Sequence, residues 1–175
     1  MINKNKFEKV TYEQYTQSFG SDCDLSKEYN DIKLPKRATV YSAGYDFFAP
    51  FDFELEPGET IKIPTGIKVH IKEGQFLGIL PRSGHGFKYR IQLDNTMGVI
   101  DSDYINSDNE GHIMIKITND GHEGKKLEIQ KGDGFAQGIF FNFDITEDDE
   151  TNGIRNGGFG STDKRDWLNG QTVKS

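Results

Sequence analysis

The sequence predicts an all-β domain, a sandwich or barrel of short antiparallel strands. Several segments alternate apolar and polar residues, which is typical of half-buried strands. The chain has 20 glycines in 175 residues, more than an average usage of about 7% would give, so we expect many turns and few long helices. Helical segments do not alternate with the strands, which argues against a parallel doubly wound sheet.

Residues 1–31 differ in pattern from the rest of the chain and are predicted to form an N-terminal extension. Thr11 is a candidate N-cap with Gln14 three residues later, the order of a capping box. We therefore expect one short helix over about residues 12–18, followed by a loop.

The predicted core spans residues 32–150, where glycines and prolines separate short apolar segments. The alternation from Thr60 to Ile71 breaks at residues 64–66, which indicates two strands. Further strands are expected at Phe76–Leu80, Val99–Ile100, Leu127–Ile129 and Phe135–Phe143, and on a segment where Ile113, Ile115 and Ile117 share one face.

Residues 151–175 are predicted to form a C-terminal arm, because they are rich in Asp, Gly, Asn and Lys and poor in strand formers. Within the arm, glycines surround Phe159, and the hydroxyls of Ser161 and Thr162 come next. Such a segment either closes over a ligand or is a disordered tail, and its composition leaves both open.

Charge and cysteine content narrow the class of protein. The net charge of −7 and the pI near 5.1 argue against a nucleic-acid or anionic-membrane surface, so any anionic ligand needs a local cluster of cations. The single Cys23 excludes an internal disulfide and a cysteine zinc site. The sequence has no signal-peptide pattern and no apolar run long enough to span a membrane, so we expect a cytoplasmic protein.

Residues 95–104 are the stretch best suited to a small ligand. Val99 and Ile100 favour extended backbone, and Gly98 lets that backbone approach another group. The acidic run that begins at Asp101 cannot continue a buried strand, so it should lie at a rim. The alternative is an ordinary hairpin end with solvated acids.

Residues 81–90 are predicted to supply the cation cluster, because they contain no acid and three basic residues, Arg82, Lys88 and Arg90. The sequence Arg82-Ser83-Gly84 can cradle an oxyanion with guanidinium, hydroxyl and backbone N–H donors. The alternative is a basic surface turn.

Two further segments place a polar residue beside glycines. Asp46 follows Gly44 by two residues, and Gln137 ends the segment Gly132–Gln137; each could contact a ligand or serve only its local backbone. The four histidines lack H-x-x-x-H spacing, so a histidine metal site is not expected.

These segments match, in order, the five motifs of the trimeric deoxyuridine triphosphatases (dUTPases), and the chain resembles that family over about residues 32–163. The family motifs are approximately A-G-x-D, P-R-S-G, N-x-x-G-V-I-D-x-D-Y, G-D-x-x-A-Q and G-G-F-G-S-T. In this chain they are Ala43–Asp46, Pro81–Gly84, Asn95–Tyr104, Gly132–Gln137 and Gly157–Thr162.

The resemblance implies a distorted jelly-roll fold that hydrolyses dUTP to dUMP and pyrophosphate. It implies that Asp101 activates the attacking water, and that Mg²⁺ on the phosphates meets Asp46 through water. Tyr104 would lie under the deoxyribose, and Phe159 would stack on the uracil. The implied uracil-reading residues are Asn95, Gly98, Val99 and Ile100. The implied phosphate-binding residues are Arg82, Ser83, Gly84, Gln137, Arg155, Gly160, Ser161 and Thr162.

The resemblance also implies a homotrimer, because the family assembles its sites at subunit boundaries and the arm of one chain covers the site of another. The chain departs from the family pattern at several places. Residues 105–110 are an insertion, expected to lengthen a hairpin and leave the preceding pocket intact. Arg155 stands four residues before Phe159 where the family has five, Gly134 replaces a frequent Arg, and Asp163 stands where Gly is frequent.

Three other functions stay open at this point. A dCTP deaminase of related fold is disfavoured by Asn95 and Asp101. A nucleotide-switched interaction protein could use residues 1–31 and 105–110 to bind a regulatory protein partner. A β-sandwich binding module without catalysis is the third. The insertion and the extension would suit a bacterial enzyme, or a phage enzyme in a bacterial host.

Overall fold

The structure, a computed structural model, describes residues 4–20, 24–151 and 153. The strands in these ranges are β1 (Lys6–Lys9), β2 (Lys36–Arg37), β3 (Tyr45–Phe48), β4 (Phe53–Leu55), β5 (Thr60–Pro64), β6 (Ile67–His70), β7 (Gln75–Pro81), β8 (Ile91–Leu93), β9 (Gly98–Ile100), β10 (Met114–Asn119), β11 (Leu127–Ile129) and β12 (Gly134–Asn142). The helices are α1 (Tyr12–Gln17), α2 (Ser26–Asp31) and α3 (Ser83–Tyr89), and a 3₁₀ turn spans Tyr104–Asn106.

The strands pair antiparallel in four sheets, with orders β2-β3-β12-β7-β9, β5-β10-β8, β4-β11 and β1-β6. From β7 to β12 the chain changes sheet at every step, so no two consecutive strands in this part of the chain are hydrogen-bonded neighbours. This is the arrangement of a distorted jelly roll, and the predicted fold class is confirmed.

The core forms where the alternating strands turn their apolar positions inward. On β10, Ile115 and Ile117 are buried, Met114 is half-buried and Lys116 is exposed. Ile113, just before the strand, is buried as well. The predicted shared face is therefore confirmed, and it packs against buried residues of the largest sheet, among them Phe47, Leu77 and Phe135.

The N-terminal segment contains the expected helix and two elements that the sequence did not indicate. Helix α1 ends one residue before the predicted bound, and the Gln14 N–H donates to the Thr11 hydroxyl at 3.2 Å. The segment also forms α2 and strand β1, whose Phe7 lies opposite Val69 of β6. The domain boundaries at residues 31 and 151 stay predictions.

The expectation that residues 105–110 lengthen a hairpin was wrong. Strand β9 pairs with β7, whereas β10 pairs with β5 and β8, so the connection between β9 and β10 crosses from one sheet to another. The inserted residues form the 3₁₀ turn and the turns after it. No helix in the described part of the chain is both long and apolar enough to cross a membrane.

Candidate functional site

A cavity of about 460 Å³, here called the β9 pocket, opens beside strand β9. It is within the usual size range of small-molecule sites. Ile79, Leu93 and Met114 give it an apolar part. Six residues predicted from the sequence also line it: Asn95, Gly98, Val99, Ile100, Asp101 and Tyr104.

The turn before β9 brings the Asn95 side chain over the strand. Thr96 takes a positive φ of 65°, and the Met97 N–H donates to the Asn95 carbonyl at 2.6 Å. A Cβ on Gly98 would lie 3.2 Å from Cβ of Ile79 and 3.6 Å from the Asn95 amide nitrogen. Glycine therefore allows this close approach, as the sequence predicted.

Strand β9 is an edge strand of the described sheet, with β7 on one side only. No other described strand pairs with the outer side of its backbone, and such an edge can bond to a ligand or a partner. Val99 is 51% exposed on this edge. A planar heterocycle could therefore be read here by main-chain groups.

Tyr104 closes the pocket beyond Asp101. Its N–H donates to the Asp101 carbonyl at 3.1 Å, which links the backbone of the two residues. The ring is only 6% exposed. Its hydroxyl donates to the His112 carbonyl at 3.1 Å and accepts from the Asn109 amide at 2.9 Å. The ring is therefore held in one orientation at the pocket wall.

Sequence reasoning missed two lysines at the β9 pocket. Lys62 and Lys116 face each other across β5 and β10, and both line the cavity. Lys116 pairs with Asp94 at 2.5 Å. Both lysines occupy polar positions of alternating strands, a pattern that predicts only solvent exposure, so strand register was needed to find them.

A second cavity, of about 340 Å³, lies where β7 ends and α3 begins. We call it the Arg82 pocket. Five residues predicted from the sequence line it: Asp46, Arg82, Ser83, Gly84 and Gln137. They come from β3, β12 and the β7–α3 junction, which strand pairing places side by side.

Arg82 is held by two neighbours in this pocket. Its Nε lies 3.0 Å from Oδ1 of Asp46, and its Nη1 donates to the Gly134 carbonyl at 2.9 Å. A Cβ on Gly134 would lie 2.9 Å from that Nη1, so glycine at this position leaves room for the guanidinium. Arginine has five N–H donors, and those left over can serve an anion.

Gly44 makes room for Gln137. A Cβ at Gly44 would overlap Oε1 of Gln137, while Nε2 of Gln137 donates to the Pro81 carbonyl at 3.0 Å. The Gln137 amide is thus held between the segment at Gly44 and the end of β7 at Pro81. A Cβ on Gly84 would meet nothing within 4 Å, so crowding within the chain does not explain that glycine.

His85 lines the Arg82 pocket, although sequence reasoning weighed it only as a metal ligand. Burial lowers the pKa of the imidazole, partly opposed by a hydrogen bond to the Phe135 backbone. The ring is therefore neutral near pH 7. Its Nδ1 is buried and has no hydrogen-bond partner in the described part of the chain.

The predicted cluster of three cations was wrong, because only Arg82 lines the pocket. Arg90 pairs with Asp120 at 2.7 Å, and the ammonium group of Lys88 lies 4.8 Å from the centre of the Tyr89 ring. Asp120, the acid that pairs with Arg90, lies 30 residues away in the sequence. Counting charges within residues 81–90 therefore does not reveal this ion pair.

The two pockets share no lining residue. The predicted arm contacts, Arg155, Phe159, Gly160, Ser161 and Thr162, lie outside the described residues. Among residues 4–20, 24–151 and 153, no group of three His, Cys, Asp or Glu side chains could hold a metal ion. A metal at either pocket would therefore need ligands beyond these side chains.

Comparisons with known proteins identify the family. The sequence model of the dUTPase family matches residues 30–163. A deoxyuridine 5'-triphosphate nucleotidohydrolase of Lactococcus lactis is 42% identical over 134 residues, which are 75% of this chain and 88% of the relative. One of Haemophilus influenzae is 42% identical over 144 residues, which are 78% of this chain and 91% of the relative.

Solved structures agree with the sequence match. The crystal structure of the dUTPase from Streptococcus mutans superposes with a TM-score of 0.61 at 31% identity and covers 81% of this chain and 98% of its own. A mutant dUTPase from phage phi11 of S. aureus, described as coordinating a structural Mg(II) ion, shares the fold with a TM-score of 0.61 at 21% identity, over 85% of this chain and 97% of its own. The family match over residues 30–163 and the identity with these relatives show that the chain belongs to the dUTPase family.

Proposed function

We propose that the chain hydrolyses dUTP to dUMP and pyrophosphate, with the β9 pocket binding deoxyuridine and the Arg82 pocket binding the triphosphate. One observation carries the proposal. Every described residue that the resemblance assigned to substrate or metal lines one of the two cavities, and the assigned nucleoside and phosphate residues separate cleanly between them.

Uracil selection is assigned to the β9 edge. Uracil and cytosine present different patterns of hydrogen-bond donors and acceptors. If the main chain of β9 and the Asn95 amide match uracil, some of their polar groups are left unpaired when cytosine binds. Such mismatches discriminate strongly. Thymine adds only a methyl group, which the close backbone at Gly98 would exclude by contact. Tyr104 would stand where a ribose 2′-hydroxyl needs space.

Asp101 is assigned the role of general base. Its carboxylate would accept a proton from a water while the water oxygen bonds to the α-phosphorus. The bond from that phosphorus to the bridging oxygen breaks, and pyrophosphate leaves with the electron pair. A positioned base of this kind contributes about 10²- to 10⁴-fold to the rate.

Arg82, Ser83 and Gln137 are assigned to the phosphate oxygens. Two of these side chains are held before substrate arrives, Arg82 by Asp46 and Gly134 and Gln137 by Pro81. Donors placed in advance stabilise charge that develops on the transferring group.

The Arg82 pocket fits a magnesium ion that arrives on the triphosphate. Mg²⁺ prefers oxygen ligands, keeps several waters and often uses one carboxylate besides the phosphates. Asp46 is such a carboxylate, and its side chain is 20% exposed. We assign it a contact through water. When bound, the ion would neutralise phosphate charge.

We further propose that the active enzyme is a homotrimer in which different copies supply the two pockets of one site. The absence of a shared lining residue in the described chain supports this arrangement. The edge of β9 supports it as well, because none of the described strands pairs with its outer side and a partner could approach there.

The first test is an Asp101→Asn variant measured by pyrophosphate release. We expect kcat to fall about 100-fold or more, with dUTP binding retained, whereas the control Asp108→Asn, at an exposed position of the insertion, should keep full activity. Near-normal turnover by the Asp101→Asn variant would remove Asp101 from this role. Release of ammonia from dCTP would instead favour the deaminase alternative.

The second test is subunit mixing. Asp101→Asn disables one pocket and Arg82→Ala removes the guanidinium of the other, and the two variants are denatured together and refolded as a 1:1 mixture. If different copies supply the pockets, random assembly leaves about a quarter of the sites with both parts intact. If one copy supplies both, the mixture should be as inactive as its components.

A further inference from the structure

Part of the N-terminal segment, residues 4–20, lies outside the family match yet is built into the core. Val10 and Tyr15 are buried, and the Val10 N–H donates to the Gly66 carbonyl at 3.0 Å. A Cβ on Gly66 would lie 3.2 Å from the Tyr15 ring and would overlap Ile32. The segment therefore fits closely against the loop between β5 and β6.

The insertion after the β9 pocket is tied to the same segment through Glu110. The Glu110 carboxylate accepts from the Thr11 N–H at 3.1 Å and from the Thr11 hydroxyl at 2.5 Å. Lys68 adds an ion pair at 3.1 Å. In an ordinary capping box the N3 side chain, here that of Gln14, would take the Thr11 N–H. A carboxylate from the insertion replaces it, so α1 and the insertion are joined at that end.

A second connection runs through the buried side chain of His112. Its Nε2 accepts from the Gly66 N–H at 2.8 Å, so the proton of the neutral ring is on Nδ1. That nitrogen lies 3.1 Å from the Ser18 hydroxyl, which donates in turn to the Gln14 carbonyl at 3.1 Å. Both ring nitrogens and the hydroxyl thus have partners, and together these contacts fix the ring.

The backbone of His112 holds Tyr104 from the other side. The His112 carbonyl accepts from the Tyr104 hydroxyl, and the Asn109 amide donates to both, at 2.9 Å to the hydroxyl and 3.3 Å to the carbonyl. A continuous series of contacts thus leads from Ser18 through His112 to Tyr104, a wall of the β9 pocket.

We propose that His112 is a positioning residue through which the N-terminal segment holds Tyr104 in place, and that this junction sets how strictly the enzyme rejects a ribose nucleotide. The inference rests on the proposed function, because it takes Tyr104 as the neighbour of the sugar. A tyrosine fixed at its hydroxyl cannot tilt away from a 2′-hydroxyl, whereas a loosened ring can.

The test replaces the partner of His112 in the N-terminal segment. Ser18→Ala removes one oxygen from a half-buried position and leaves Nδ1–H without an acceptor. Ser18→Thr keeps that oxygen. Thr16→Ala is the matched control, because the Thr16 hydroxyl donates to the Glu13 carbonyl of the same helix. For each protein, kcat and KM are measured with dUTP and with UTP below its melting temperature.

We expect Ser18→Ala to lower the ratio of kcat/KM for dUTP over UTP by about threefold or more. KM for dUTP should rise while its kcat stays within about twofold of the unmodified chain. Ser18→Thr should restore the ratio, and Thr16→Ala should leave it unchanged.

Two outcomes would overturn the positioning role while the proposed function stands. In one, the unmodified chain hydrolyses dUTP and Ser18→Ala keeps its full discrimination. In the other, Thr16→Ala loses as much discrimination as Ser18→Ala, which would assign the effect to helix stability. Absence of dUTP hydrolysis by the unmodified chain would overturn the proposed function itself.

Discussion

Acid should destabilise this protein in a pH range set by His112. Burial lowers the pKa of the His112 imidazole from 6.5 to about 4, and the neighbouring Glu110 carboxylate only partly opposes the shift. The side chain is 0% exposed, and its Nε2 accepts from a backbone N–H, so a proton there would break that hydrogen bond.

The sign of the effect is set by proton uptake. Between pH 6.5 and about 4 the unfolded chain binds a proton at this histidine and the folded chain does not. The free energy of unfolding therefore falls as the pH is lowered through that range, and this contribution is fully present above pH 6.5. At pH 5 the loss is roughly 2 kcal/mol, from about 1.4 kcal/mol for each pH unit below the unfolded pKa.

The assay compares urea unfolding of the unmodified chain and of His112→Gln at pH 7.5 and pH 5, at one protein concentration. Glutamine can accept from the Gly66 N–H but does not titrate, so the variant should lose roughly 2 kcal/mol less than the unmodified chain over this interval. Other groups, including His85, contribute equally to both proteins and cancel in the comparison. Equal losses in the two proteins would refute the assignment to His112.

Three further predictions concern the proposed phosphate site. Gly44→Ala should displace the Gln137 amide and raise KM for dUTP by about tenfold, the cost of one misplaced hydrogen bond, measured beside the control Gly86→Ala, whose added Cβ meets nothing within 4 Å. Ending the chain before Gly157 should leave a folded protein by circular dichroism with little dUTP turnover, since the predicted contacts of Phe159, Gly160, Ser161 and Thr162 are gone. Chelation of Mg²⁺ by EDTA should abolish most pyrophosphate release without lowering the melting temperature, because the proposed ion arrives with substrate.

The sequence predicted part of the lining of both pockets because those residues lie in contiguous motifs. Asn95 to Tyr104 carries its own turn, edge strand and acid, so local backbone rules were enough to place these residues together. The same holds for Arg82 and its two neighbours. Strand register brings Asp46 and Gln137 to the Arg82 pocket, and the family resemblance had assigned both to the substrate site. Lys62 and Lys116, which lie at opposite polar positions of paired strands, were missed.

The errors have the same physical origin. The prediction of a hairpin at residues 105–110 was wrong because β9 pairs with β7, which lies earlier in the chain. The prediction of a cation cluster was wrong because Arg90 pairs with Asp120, which lies 30 residues away in the sequence. His112 was considered only as a metal ligand, and its contacts with Ser18 and Gly66 span 94 and 46 residues. Long-range partners of this kind are not visible to local pattern analysis.

Charge balance explains why the proposed phosphate site needs more than one chain segment. The Arg82 pocket holds one guanidinium and one carboxylate, 3.0 Å apart, and its histidine is neutral near pH 7. In a chain of net charge −7, these residues alone supply little attraction for a nucleoside triphosphate of about four negative charges. The missing positive charge must come from Mg²⁺ on the phosphates, from the arm that carries Arg155, or from a second copy. Each of these positive charges reaches the pocket with the substrate or through assembly of the protein. The pocket itself should therefore select its ligand by the geometry of its hydrogen-bond donors, and the phosphate charge should be neutralised only when the ligand binds.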